Sequence, residues 1–192
     1  MSDTLYAQAD DVFALLSPGT PAAEARAALT GGLIGVVRDA SGQVTSTVTE
    51  ADLAGLDDDT RLGAAVASLP PAIVADAEAT FAEYGASPAV TLLDVGARAL
   101  VLLDGEEVTA VLPVEVVGAY FASESYTPPS SVMTPHDGGA DSGLGRPRTG
   151  LAHVVCAHPG CGRVNELPSF NRRRPPECVN RDVSVHTLRI GV

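Results

Sequence analysis

The stretch Val36 to Leu56, VVRDASGQVTSTVTEADLAGL, constrains the fold more tightly than any other part of the chain. Val36 and Val37 open it as a short apolar run. Asp39-Ala40-Ser41-Gly42 follows with turn chemistry, and Gly42 is free to take a positive φ. Val44, Ser46 and Val48 then alternate with Thr45 and Thr47, the period of a half-buried strand. Thr49 stands where a helix N-cap belongs, its hydroxyl placed to accept from amides of the first turn. Asp52 puts a carboxylate on the favourable end of the helix dipole. The order is strand, tight turn, strand, helix.

The flanking sequence extends this order. Val12 to Leu16 is a short apolar piece closed by Ser17-Pro18-Gly19. Thr20 as cap and Pro21 at the first helical position open a helix over Ala22 to Leu29, and Gly31-Gly32 ends it. Leu33 to Val37 forms a strand, and the helix after Thr49 runs from about Glu50 to Gly55. Residues 60–122 look like a second copy. Thr60 caps a short helix through Val66, and Ile73-Val74 is extended. Asp76 caps a helix over Ala77 to Tyr84, and a further helical segment runs from Ala89 to Val95 with Gly96 as its stop. Strands at Leu100 to Leu103 and Val108 to Leu112 flank an Asp104-Gly105 turn, and Val114 to Phe121 is helical. Aligning Val44-Thr45-Ser46 with Val108-Thr109-Ala110 gives an offset of 64, and aligning the turn aspartates gives 65.

The Asp39 to Gly42 turn, Ser46 in a slot usually held by Gly, and Thr49-Glu50-Ala51-Asp52-Leu53 resemble the core of a CBS domain, the cystathionine-β-synthase type. The resemblance implies an α+β fold with a pseudo-twofold body over residues 1–122, as tandem units of about 1–58 and 59–122. Each unit would bury its open sheet against the other. It also implies an adenosine-containing ligand between the units, with Thr49 and Asp52 taking phosphate and ribose hydroxyls, and a homodimer formed face to face. A helix N-terminus favours phosphate on physical grounds. Thr49 and Asp52 serve equally well as a plain cap. The second copy departs from the pattern: Pro113 and Val116 fill those slots, or Leu112 and Glu115 if the alignment slips by one. With no basic cluster close in sequence, a monophosphate such as AMP, or a nucleoside, is easier to accommodate than ATP.

Charge divides the chain. All twelve basic residues are Arg, and the formal net charge is −12. Residues 1–125 carry 4 Arg against 19 acids, and residues 151–192 carry 6 Arg against 3. The front should repel nucleic acid; only the tail could attract it. No apolar run approaches the ~20 residues of a membrane span. The N-terminal segment has neither a basic nor an apolar region, which reads as a cytoplasmic protein without a secretory signal. Residues 123–150, rich in Pro, Gly and Ser, read as a flexible linker, and His136 as a solvated residue within it.

All three cysteines lie beyond that linker, and an odd number in such a chain argues for metal over disulfides. Val154-Val155 enters as a strand, and Cys156 and Cys161 bracket a compact turn. Cys178 and His186 follow, and Thr187 to Ile190 returns as a strand. Cys156, Cys161, Cys178 and His186 make a closed Cys3His set suited to structural zinc. Gly160 and Gly162 let backbone N–H groups turn toward sulfur. His158 is the rival to His186, with His153 a further candidate. Residues 151–192 therefore look like a zinc ribbon.

Arg172-Arg173-Arg174 and Phe170 suit a solvated loop, a nucleic-acid contact or the acidic body of this same chain. No phosphate-binding loop, nucleophile elbow or His-Glu-x-x-His appears, and zinc would silence a Cys156–His158 pair. The expected function is a non-enzymatic regulatory or adaptor protein that senses an adenine nucleotide and offers its ribbon to a protein partner. The alternative is a nucleic-acid-binding ribbon regulated by the acidic body.

Overall fold

The computed structural model describes residues 4–123 and 150–190. The linker call, including His136, falls mostly outside them. The first half contains β1 (Ala14–Leu16), α1 (Ala22–Ala28), β2 (Gly35–Arg38), β3 (Val44–Val48) and α2 (Glu50–Leu53). The second contains α3 (Leu62–Ala65), β4 (Ala72–Asp76), α4 (Phe81–Ala86), a 3-10 helix (Pro88–Val95), β5 (Ala99–Asp104), β6 (Glu107–Pro113) and α5 (Val114–Ala122). Strands β7 (Leu151–Val155) and β8 (Val164–Leu167) follow.

The repeat read from the sequence is a repeat in space. β1 runs parallel to β2, which pairs antiparallel with β3. β4 runs parallel to β5, which pairs antiparallel with β6. Both hairpins carry a register irregularity at the same point, between Val37 and Arg38 and between Leu102 and Leu103. Thr49 is the N-cap of α2 and Pro113 the N-cap of α5. That pairing keeps the offset of 64 and removes the one-residue slip.

The two sheets face each other. Val36 and Val44 pack with Val74, Val101, Leu103 and Val111 between them. The alternate residues point outward onto helices. Val37 and Val48 meet Leu29, Leu53 and Leu62, while Leu100 and Leu102 meet Phe81, Tyr84, Leu92 and Val117. Period two therefore sorts β2, β4 and β5 between two cores, which is why β5 is a continuous apolar run. The leading segments cross over. Leu5 packs in the second half's core with its N–H on the Ala79 carbonyl, and Leu62 of α3 packs in the first half's. Packing thus crosses the expected boundary near residue 58.

Several local expectations are corrected. β3 is not half-buried: all five residues are buried. Two of its polar side chains, Ser46 and Thr47, face the other half of the protein rather than water. Ser46 and Thr47 donate to the carbonyls of Pro70 and Pro71 at 2.5 and 3.2 Å, and Arg98 N–H donates to Thr47 Oγ1 at 3.1 Å. Pro21, not Thr20, is the N-cap of α1, because the Thr20 hydroxyl is held by Ser17. Thr80 rather than Asp76 caps α4, in a capping box with Glu83. Asp76 instead accepts from the Glu78 N–H. The segment before Gly96 is 3-10 and not α, and Gly96 closes it at φ +94°.

The largest correction concerns the tail. β7 and β8 are not a sheet of their own. β7 pairs antiparallel with β4, so the second sheet has five strands in the order β6-β5-β4-β7-β8. Val164–Leu167, unforeseen as a strand, is the partner of β7, whereas 187–190 makes only a single bridge, Thr187 to Glu177.

Gly35 shows how tightly the first sheet meets its helices. A Cβ there would lie 2.7 Å from Leu16 Cδ1 and 3.0 Å from both Leu29 Cδ2 and Val48 Cγ2. Three enclosed side chains on three elements cannot all give way. Gly35→Ala should therefore lower unfolding stability by about 1–3 kcal/mol, measured by urea denaturation.

Candidate metal centre and the Thr49–Asp52 corner

The turn after β7 places Cys156 and Cys161, and the loop beyond β8 brings back Cys178 and His186. One ligand atom from each lies within 4.8 Å of every other. Cys156 Sγ is 3.4 Å from His186 Nε2, and Cys161 Sγ is 3.5 Å from Cys178 Sγ. Tetrahedral zinc with Zn–S near ~2.3 Å and Zn–N near ~2.0 Å needs ligand atoms roughly 3.5–3.8 Å apart. The group could hold a metal ion.

The surroundings are built for sulfur. Gly160 and Gly162 take φ of +75° and +58°, as the turn requires. The His158 and Arg163 N–H groups point at Cys156 and Cys161, each two residues on. Asn165 and Asn180 bring side-chain amides to within 3.5 Å of Cys178 and Cys161 Sγ. These two asparagines were missed from sequence, because their spacing to the cysteines carries no pattern. At Cys161, burial pushes the thiol up, but the Arg163 N–H and the Asn180 amide outweigh it and bring it down to about 6. Burial dominates at Cys156 and holds its thiol above the ordinary range.

The structure brings together the four residues named from sequence and leaves the rival histidines out. His186 Nδ1 sits 2.7 Å from the Ser184 carbonyl, which fixes the ring with Nε2 toward the sulfurs. His158 lies against the His186 ring with centroids 4.1 Å apart and is outside the set. His153 is buried on β7, its Nδ1 2.5 Å from the Val44 carbonyl. Cys156 and Cys178 belong to the same core cluster as Ile73 and Leu100. The centre is therefore seated in the body's core. The arginine loop touches the body too, since Arg172 donates to the Asp94 carbonyl at 2.7 and 2.9 Å.

At the other end of β3, Thr49 and Asp52 meet as the sequence suggests. Asp52 Oδ2 accepts from Thr49 N–H at 2.8 Å and from its hydroxyl at 2.7 Å, within a capping box. Arg98, just before β5, adds what sequence distance concealed. Its Nε and Nη2 donate to Asp52 at 2.5–3.0 Å. Burial of Asp52 would raise its pKa, but the Arg98 guanidinium and the Thr49 donors outweigh it and hold the carboxyl below its ordinary 3.8. Here the corner acts as a latch between the halves, and an incoming ribose would have to displace Arg98.

No family model and no curated protein matches the chain. Solved structures do. The chain is similar to the soluble part of a magnesium transporter (TM-score 0.50, 15% identity, over 66% of this chain and 50% of that one). It is also similar to a CBS domain pair/ACT domain protein from Thermotoga maritima (TM-score 0.45, 17% identity, 62% and 95%). A third is the cytosolic domain of the Mg2+ channel MgtE in complex with ATP (TM-score 0.47, 18% identity, 62% and 49%). The fold is CBS-pair-like. The chain spans about half of the transporter's soluble part and of the channel's cytosolic domain, at 50% and 49%, and the likeness is one of fold alone. Among the described residues no helix is long and apolar enough to cross a membrane.

Asp52→Asn removes the charge on which Arg98 and the cap converge and should cost about 1–3 kcal/mol at neutral pH. A carboxyl with a depressed folded pKa contributes fully above its unfolded value and loses that contribution as pH falls through the folded one. The gap in melting temperature between wild type and variant should therefore close in acid, below about pH 3.8.

Proposed function

We propose that this chain is a non-enzymatic, cytoplasmic regulatory or adaptor protein in which a structural zinc ion fastens the C-terminal hairpin to a CBS-pair-like body. The observation that carries it is the convergence of Cys156, Cys161, Cys178 and His186 within 4.8 Å. Three thiolates and an imidazole in tetrahedral reach favour zinc over harder cations. A full set of protein ligands leaves no position for water or substrate, so the role is structural. Such a site can supply on the order of 10 kcal/mol to folding, and residues 156–190, with only β8 as regular structure, have need of it.

The body's ligand, on this reading, is an adenine nucleotide at Thr49 and Asp52, with AMP preferred. Arg98 supports this, because it provides the cation that the neighbouring sequence lacks. On binding, Asp52 would exchange the guanidinium for ribose hydroxyls and Arg98 would turn to the phosphate. The nucleic-acid alternative would rest on Arg172, Arg173 and Arg174, of which Arg172 donates to the Asp94 carbonyl. The adaptor's partner would be a protein, and a second copy of the chain is a further candidate.

Metal analysis of the chain purified from zinc-replete medium should find one zinc per chain, and Cys178→Ser should lose it and melt at lower temperature. A metal-free wild type with an unchanged melt after chelator would sink the zinc reading. Calorimetry should detect AMP, with binding lost in Arg98→Ala. No heat with AMP, ATP or S-adenosylmethionine would remove the sensing role and leave the adaptor role.

A further inference from the structure

At the hairpin end of the two sheets, away from Thr49 and from the cysteines, a cleft opens. The Asp39–Gln43 turn, the ends of β4 and β5, and the β7–β8 hairpin surround it. It has two lobes of about 410 and 340 Å³ that share Gln43, Val74, Leu103, Glu106 and His153. Each lobe is within the roughly 300–1,000 Å³ of small-molecule sites.

The lobes differ in charge. The first adds Asp76 and Glu166, and the second adds Arg38. Among the described residues, Arg38 Nε is buried without a hydrogen-bond partner, and Nη2 donates to the Glu106 carbonyl at 3.4 Å. A buried N–H left unpaired is costly, and the planar guanidinium fork matches a carboxylate. In the acidic lobe, Asp76 accepts a single backbone N–H, from Glu78 at 2.8 Å. Glu166 is held by Gln43 at 3.0 Å. Neither Asp76 nor Glu106 has a cationic partner among the described residues.

These carboxylates do not converge on a point. Among the described residues only the Cys3His group brings three or more ligand atoms together. Carboxylates so dispersed suit an organic cation. Val74, Leu103 and Leu151 give the first lobe an apolar wall.

We propose that this cleft binds a small aliphatic amino acid or a close zwitterionic analogue. Its carboxylate pairs with Arg38, its ammonium group faces Asp76 and Glu106, and its side chain lies on Val74, Leu103 and Leu151. Both charges of one ligand are used, because Arg38 lines only the second lobe and Asp76 only the first, with Glu106 between them in both. The proposal is independent of zinc and of any nucleotide at Thr49.

Calorimetric titration of the full chain with leucine, isoamylamine and isocaproate tests it. Leucine should bind, and the amine and the acid, each lacking one charge, should bind at least about tenfold more weakly. Arg38→Gln and Asp76→Asn should each weaken leucine by a similar factor, with melting temperature and metal content unchanged. No heat from leucine, valine or alanine up to about 10 mM would overturn it, as would either half-analogue binding as well as leucine. The analogue series uses unaltered protein, so it decides the matter even if a variant fails to fold.

Discussion

Strand β4 has a neighbour on each side, β5 running parallel and β7 antiparallel. Its counterpart in the first half, β1, pairs with β2 alone among the described residues. An open strand edge exposes a row of unpaired backbone donors and acceptors. In the second half those groups are satisfied by β7, from the C-terminal part of the chain. This pairing makes a near-symmetric pair of units asymmetric. It places the turn that bears Cys156 and Cys161 next to the core, and it sets β7 against β3 so that His153 reaches the Val44 carbonyl. Leu15, on the uncovered β1, remains 57% exposed.

The face-to-face packing of the sheets has a second consequence. Three successive polar side chains, Thr45, Ser46 and Thr47, are buried in β3. Buried hydroxyls are tolerated only when bonded, and these are. Thr45 donates to the Val37 carbonyl on its own sheet, while Ser46 and Thr47 reach across to Pro70 and Pro71. The Asp52–Arg98 pair continues this line of polar ties between the halves. Polar groups thus do at the strand's edge what valines do between the sheets.

How much of this was legible depended on how local the cause was. The Asp39 turn was readable because one carboxylate binds the Ser41 and Gln43 N–H groups within five residues. The four metal-ligand candidates were readable because few side chains have that chemistry. The choice of His186 over His158 was not, since it rests on the Ser184 carbonyl and on how two loops meet. Arg98 was missed for the same reason: it lies 46 residues from Asp52 in the chain.

The amino-acid sequence alone determined the repeat, the two hairpins with their turns, the capped helix after β3, and the three candidate sulfur ligands. All of these follow from local backbone preference and side-chain chemistry. Tertiary structure alone decided that β3 is buried on both faces, that the leading segments exchange halves, and that the last hairpin joins the second sheet. Those outcomes depend on which surfaces meet. Alternation along a strand reports that its two faces differ, but not whether the polar face looks onto water or onto another part of the protein.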